Sequence, residues 1–263
     1  MKSLLKKILN KFGYTIVRFK ENGIKYLDKS KDKNLAFYET GIGNFYLPLN
    51  NNDDIVANAI KHGIIFESEI VSTVYDYVKD GSIVLDIGAN YGQMSILFSK
   101  KFPGCTVHSF EAQAFVFNIF EKNIKANNCI NIIPYYKAVY VNSETNLIFS
   151  TPDFSKYGSY GSVGINMKTK EGIVVQSIAI DSIDFIAPIS FMKIDIQGSD
   201  LFALRGAVNT IQKHRMPIIF EYEQNLQLEF GTSFQDYVNF FREINYRFES
   251  QILNNNFLML PNL

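Results

Sequence analysis

Ile83-Val84-Leu85-Asp86-Ile87-Gly88-Ala89-Asn90-Tyr91-Gly92 is an apolar run that takes in one acid and then passes through small residues. Its start is too short and too continuous for an amphipathic helix and reads as a strand buried on both faces. Gly88 lets the chain turn sharply and bring its backbone close to a ligand, since a Cβ would obstruct both. A helix is expected from about Tyr91, with its first N–H groups turned toward the same loop.

On the C-terminal side the same alternation continues. Helix Tyr91–Lys101 is followed by strand Thr106–Phe110, helix Phe115–Ala126 and strand Asn131–Val139. Farther on, Phe191–Ile196 and Pro217–Tyr222 read as strands, and Leu201–Gln212 and Phe234–Ile244 as helices. On the N-terminal side, helical spacing runs from Ile55 through Phe66–Val78 and stops at Lys79-Asp80-Gly81. Strands and helices in alternation predict an α/β domain, a doubly wound and mainly parallel sheet with helices on both faces, spanning residues 55–263. Residues 150–172 break the pattern, with Gly158, Gly161 and Gly164 set among Ser and Tyr. A loop of that length inside a compact domain is usually functional. Ile173–Ile180 reads as a strand after it, and Asp181-Ser182 as the cap of a short helix.

Residues 1–54 form an N-terminal extension, helical at first and then irregular, with Leu35–Tyr38 and Asn44–Leu49 as one hairpin. Lys2, Lys6, Lys7 and Lys11 fall between Leu4, Leu5, Ile8, Leu9 and Phe12, the spacing of a basic amphipathic helix. It suits either packing on its own domain or peripheral contact with an anionic membrane. It lacks the layout of a secretory signal. The 263 residues carry 26 Lys+Arg and 26 Asp+Glu, and 47% are hydrophobic, which excludes wholesale disorder and a generally basic nucleic-acid coat. The neutrality is a sum over unlike parts. Residues 1–33 hold ten basic and three acidic side chains, and the rest of the chain is acidic by the same margin. Cys105 and Cys129 fit neither a disulfide framework nor a zinc site, and read as reduced cytoplasmic thiols. His62, His108 and His214 lack metal-ligand spacing.

The strand and loop at 83–92 do not match a dinucleotide fingerprint, because the chain has Gly88-x-Asn90-x-Gly92 where Gly-x-Gly-x-x-Gly is needed. An acid at this point serves a pyrophosphate poorly. It suits a zwitterion bearing an ammonium or sulfonium group. Glu111 closes the next strand, where an acid accepts hydrogen bonds from ribose hydroxyls. Both acids are expected in one crevice beyond the carboxyl ends of the strands.

Asp86-x-Gly88-x-Asn90-x-Gly92 followed by Phe110-Glu111 resembles the class I S-adenosylmethionine-dependent methyltransferases with their Rossmann-like fold, and specifically the FkbM family. That family's later block, Lys-Ile-Asp-x-Glu-Gly-x-Glu, is similar to Lys193-Ile194-Asp195-Ile196-Gln197-Gly198-Ser199-Asp200, and Ile180-Asp181-Ser182-Ile183 resembles the segment before it. The resemblance runs from about Phe66 to Glu223. It implies methyl transfer from S-adenosylmethionine to a hydroxyl of a sugar, glycan precursor or secondary metabolite. The implied cofactor set is Glu67, Asp86, Gly88, Ala89, Asn90, Tyr91, Gly92, Glu111, Ala112 and Ala138. Asp86 and Glu111 are expected to be needed for the cofactor and dispensable for folding. Asp195 is the first candidate for the base and Glu221 the second, with Lys193 orienting Asp195 or steering the acceptor. Tyr157 and Tyr160 are candidate acceptor contacts on the loop.

Three departures stand out. Ala112 replaces the family's Pro, Gln197 its Glu, and Asp200 its second Glu. Gln197 can neither take a proton nor carry charge. Asp195, Glu221 and Glu223 have the chemistry for Mg²⁺, but Gln197 among them argues against a required metal. A binding or scaffold protein with a degenerate methyltransferase fold, and a nicotinamide-dependent oxidoreductase, remain as alternatives.

Overall fold

The computed structural model describes residues 16–18, 24–26, 34–49, 53–149, 159–166, 171–253 and 255–262. The basic segment 2–12 and Tyr157 lie outside them. Four antiparallel strands come first, β1 (Ile16–Arg18), β2 (Ile24–Tyr26), β3 (Leu35–Thr40) and β4 (Gly43–Pro48), paired in that order. Helices α1 (Ile55–Lys61) and α2 (Ser68–Tyr77) lead into β5 (Ile83–Ile87), α3 (Gln93–Lys101), β6 (Thr106–Glu111), α4 (Ala114–Ala126) and β7 (Ile132–Tyr136). Then come the short β8 (Ala138–Val139), β9 (Asn146–Phe149), β10 (Ile173–Ile178) and β11 (Ile189–Ile194). The chain ends with α5 (Asp200–Arg205), α6 (Val208–His214), β12 (Ile218–Glu221), α7 (Gln224–Phe230), α8 (Phe234–Glu243), β13 (Tyr246–Ile252) and β14 (Asn256–Pro261).

The central sheet has the order β13-β14-β12-β11-β5-β6-β7. Its strands from β12 to β7 are parallel, and β14 and β13 are antiparallel additions. Period-two alternation sends successive side chains to opposite faces. Val84, Val107 and Phe191 join Ile60, Val74, Phe98 and Phe120 in one core. Leu85, Ile87, Met192 and Ile218 join Leu204, Ile211 and Phe241 in the other. The sheet is therefore doubly wound, as expected. The chain leaves β5 toward β6 and returns on its other side at β11, which opens a crevice at their carboxyl ends.

Several boundaries differ from the sequence reading for local reasons. The strand expected over Asn131–Val139 divides. β7 follows β6 as far as the Glu111–Tyr136 pair, and β8 then pairs with β10 in a separate sheet. The helix expected over Leu201–Gln212 breaks at Gly206, where an added Cβ would strike the Tyr140 carbonyl oxygen. Ile180–Ser182 is only a 3-10 turn. The Asp181 carboxylate instead accepts from Asn209 N (3.0 Å) and Thr210 N (2.7 Å), capping α6. The hairpin within the N-terminal extension forms as β3 and β4 and packs into the first core through Leu35, Phe45 and Leu47. Asn123 on α4 and Asn127, which caps its C-terminal end, accept from Tyr46 N (2.6 Å) and Asn44 N (2.9 Å) and tie the hairpin down.

Asp54 caps α1 by accepting from Ala57 N, and its other oxygen accepts from the Tyr91 hydroxyl at 2.8 Å. Both side chains are buried. Tyr91→Phe takes that donor from a buried carboxylate and is expected to cost about 1–3 kcal/mol, read by urea unfolding.

Candidate functional site

The crevice is a cleft of about 340 Å³. Its floor is the β5–α3 turn. Gly88 has φ +86°, and a Cβ there would run into the Asp195 carbonyl oxygen. The glycine is therefore required by the neighbouring strand end, independently of any ligand. Asn90 sits in the left-handed region at φ 52° and folds its side chain back to accept from Tyr91 N at 2.8 Å. Gly92 begins α3 at φ +85°, and a Cβ would meet the Phe120 ring.

Glu111 stands at the end of β6. One of its oxygens accepts from Asn90 N (2.9 Å) and the other from Gln113 N (2.7 Å), which locks the carboxyl toward the cleft. Burial pushes it up to about 7, against the lowering effect of those two N–H bonds. On the opposite wall Glu67 enters α2 in the left-handed conformation, φ 50°, and accepts from Asn256 Nδ2 at 3.2 Å. Burial and the nearby Asp195 push it up to about 7 as well.

A buried charge row runs beneath the floor. Register places Lys193 of β11, Asp86 of β5 and Ser109 of β6 side by side. Lys193 Nζ lies 3.6 Å from Asp86 Oδ1 and 3.5 Å from Asp195 Oδ2, and donates to the Gly88 carbonyl oxygen at 3.0 Å. Ser95 donates to the other Asp86 oxygen. Burial alone lowers an ammonium, but Asp195, Asp86, Glu67 and Glu221 outweigh it and raise Lys193. Burial raises the Asp86 carboxyl, against the pull of Lys193 and Ser95. Asp195 and Glu221 stand at neighbouring strand ends, where Ile194 pairs with Phe220, and Glu221 is held far above the usual carboxylate range by burial and by the nearby Asp195 and Asp200. Asp200, fully buried, is raised to about 7 by burial and by Asp195.

Of the residues expected to hold a cofactor, Glu67, Gly88, Asn90, Glu111, Ala112 and Ala138 line this cleft. Asp86, Ala89, Tyr91 and Gly92 do not. Asp86 is fully buried and occupied with Lys193 and Ser95, so it is no direct ligand contact. Tyr91 is a core side chain bonded to Asp54. Among the catalytic candidates, Asp195 and Glu221 line the cleft and Lys193 sits under it. Tyr160 packs on Phe115 at 5.0 Å between ring centroids, while its neighbours Ser159 and Gly161–Ile165 form the outer wall. The Phe149–Ile165 bridge anchors that wall to β9. Gln197, at φ 54°, lines the cleft beside Asp195.

Sequence reading missed Phe66, Lys137 and Ser199 in the lining. Phe66 is placed by Gln93, which accepts from Phe66 N and donates to the Ile64 carbonyl oxygen, both at 2.9 Å. Nothing in local periodicity signals that bond across 27 residues. Lys137 stands next to Ala138, which the resemblance implied in the cofactor set. Among the described residues no group of three or more His, Cys, Asp or Glu side chains is placed to hold a metal ion, and no helix is long and apolar enough to cross a membrane.

Raised carboxyls give a signed stability effect. Between their unfolded values near 4.5 and folded values near 7, Glu67 and Glu111 bind more protons folded than unfolded, so stability falls as pH rises through that window. Asp200 acts in the same sense from its lower unfolded value. Urea unfolding of the ligand-free protein is expected to be harder at about pH 5 than at about pH 8; the opposite slope would contradict this arrangement.

A family model described as the methyltransferase FkbM domain matches residues 86–248. No curated protein matches by sequence. Among solved structures, the FkbM methyltransferase from Methylobacillus flagellatus KT is similar at 16% identity over 72% of this chain and 50% of that one, with a TM-score of 0.47. This chain thus spans half the length of that protein. A precorrin-6y C5,15-methyltransferase from Geobacter metallireducens GS-15 is similar at 13% identity over 74% of this chain and 88% of its own, TM-score 0.43. A TehB-like SAM-dependent methyltransferase from Corynebacterium glutamicum is similar at 11% identity over 79% and 94%, TM-score 0.43.

Proposed function

Because the chain belongs to the FkbM methyltransferase family, we propose that it transfers methyl from S-adenosylmethionine to a hydroxyl of a sugar, glycan precursor or secondary metabolite. The observation that carries this reading is the meeting of Glu111 and Asp195 in one cleft, with the Gly88–Asn90 turn as the floor between them.

The residues present fit the cofactor's chemistry. Glu111 is locked in place to accept from ribose hydroxyls, and Phe110, Ala112, Ala138 and Val139 give a largely apolar wall for the adenine. Glu67 supplies negative charge for a cationic methionine moiety. When bound, the cofactor supplies a methyl already activated by its sulfonium. The protein's part is then positioning and proton removal. Asp195 is the base that takes the acceptor hydroxyl's proton. Lys193 Nζ, 3.5 Å away, fixes its carboxylate from below. The wall at Ser159 and Gly161–Ile165 closes the acceptor side, and its small residues leave room for a sugar ring. The carboxylates lining the cleft repel a phosphodiester backbone, so the acceptor is a small molecule or glycan and not a nucleic acid.

In this reading the enzyme is cytoplasmic, requires no metal, and reaches membrane-borne acceptors through the basic segment 2–12. Calorimetric titration with S-adenosylhomocysteine, and mass spectrometry of cell-surface glycans and nucleotide sugars with and without the protein, test it. A 14-dalton methylene difference is expected, about 14 being the mass of CH₂. Binding of a nicotinamide dinucleotide in place of S-adenosylhomocysteine would overturn it. Glu111→Ala is expected to weaken S-adenosylhomocysteine binding by roughly 10-fold or more while the fold persists, because hydrogen bonds to a charged acceptor are worth about 1.5–3 kcal/mol.

A further inference from the structure

Gln197 stands in the β11–α5 turn, two residues after Asp195, and both line the cleft. Its φ of 54° lies in the left-handed region, where a Cβ is disfavoured. Asn90 takes the same conformation on the neighbouring β5–α3 turn and is compensated locally, its side chain accepting from Tyr91 N at 2.8 Å. Gln197 has no such return, since its longer side chain finds no hydrogen-bond partner among the described residues. The outer wall rests on its root. A Cβ added at Gly164 would come within 3.0 Å of Gln197 Cβ and 3.2 Å of its carbonyl oxygen. The half-buried side chain is thus held at its base, with the amide as the polar end it brings to the cleft. Ser199, also in the lining, is already donating to the Ile196 carbonyl oxygen at 3.0 Å. A strained backbone that keeps a long, unpaired amide in a cleft points to a ligand contact and not to the needs of the turn, which Gly or Asn would meet at lower cost.

Resting on the assignment of methyl transfer to this cleft, we propose that Gln197 is the specificity-determining residue for the acceptor, and that the acceptor is a neutral vicinal diol. An amide offers a donor and an acceptor together, which a hydroxyl answers with its lone pair and its proton. A carboxylate at this position can only accept. Asp195 takes the proton of the hydroxyl that is methylated, and Gln197 holds the hydroxyl on the adjacent ring carbon. The two contacts fix both the position and the orientation of the ring. Discrimination follows from the unpaired amide, because an acceptor lacking the second hydroxyl leaves it in the cleft with no partner.

The test gives the whole protein tritium-labelled S-adenosylmethionine and the methyl pyranosides of mannose, glucose, galactose, rhamnose and fucose, each beside its monodeoxy analogues. The parent is expected to methylate at least one full glycoside, and to lose about 10-fold or more in kcat/KM when the hydroxyl beside the methylated one is removed. Gln197→Met keeps the side chain's length and removes its hydrogen bonding. It should lose about 10-fold on the full glycoside, chiefly in KM, and little more on the deoxy analogue, while binding S-adenosylhomocysteine within about two-fold of the parent. Gln197→Gly should lose the same activity while its urea midpoint stays at or above the parent's, because glycine relieves the left-handed backbone. It carries the comparison if the methionine variant fails to fold. A Gln197→Gly midpoint below the parent's, or parent-like kcat/KM in Gln197→Met, overturns the acceptor role. So does an equal loss in parent and Gln197→Met on removing the neighbouring hydroxyl. No transfer to any glycoside while S-adenosylhomocysteine binds overturns the diol class and leaves the cofactor assignment intact. Failure of S-adenosylhomocysteine to bind overturns the methyltransferase reading, and the role of Gln197 with it.

Discussion

Asp195→Asn lowers turnover by about 10²–10⁴-fold, the range that a positioned base contributes, while S-adenosylhomocysteine affinity stays within about two-fold. The asymmetry follows from placement. Asp195 lines the cleft at the end of β11, 3.5 Å from Lys193 Nζ, whereas the ribose acceptor Glu111 stands two strands away on β6. The substitution keeps side-chain volume and removes charge and basicity, so it separates proton removal from positioning. Single-turnover rates measured with saturating donor check it, together with the pH profile. Turnover equal to the parent's would remove Asp195 from the role of base.

Asp86→Ala destabilises the protein by about 3–5 kcal/mol, read by urea unfolding, before any effect on cofactor binding is seen. Asp86 is fully buried and Lys193 nearly so. Removing Asp86 leaves the buried Lys193 with Asp195 as its remaining close counter-charge, and leaves the Ser95 hydroxyl with Ser109 Oγ as its remaining partner. Asp86→Asn is expected to cost less, since an amide oxygen still accepts from Ser95. A stable Asp86→Ala that has lost only S-adenosylhomocysteine binding would restore the direct ligand role that the sequence motif implies.

These two expectations differ most from what the motif alone suggests, and the reason is register. Asp86 and Glu111 look equivalent in the sequence, each an acid in or at the end of an apolar run. Strand pairing sets Asp86 opposite Lys193, one residue short of the strand's end and on a face covered by α3, while Glu111 lies at the last residue of β6, on the rim. One residue of offset turns a ligand contact into a buried ion pair.

The sequence by itself determined the alternation of β5, α3, β6, α4 and β7, the two-sided burial of the sheet, the family, and part of the cleft lining: Gly88, Asn90, Glu111, Asp195 and Glu221. These are legible because period, punctuating glycines and strand-end acids act over a few residues. The division of strand Asn131–Val139, the break at Gly206, the capping of α6 by Asp181 and the placing of Phe66 by Gln93 were decided only by the tertiary structure. So were the burial of Asp86 and Tyr91 and the ion pair of Lys193 with Asp195. Each depends on a partner brought close from another element, and on whether burial leaves that partner as the sole source of a hydrogen bond or counter-charge.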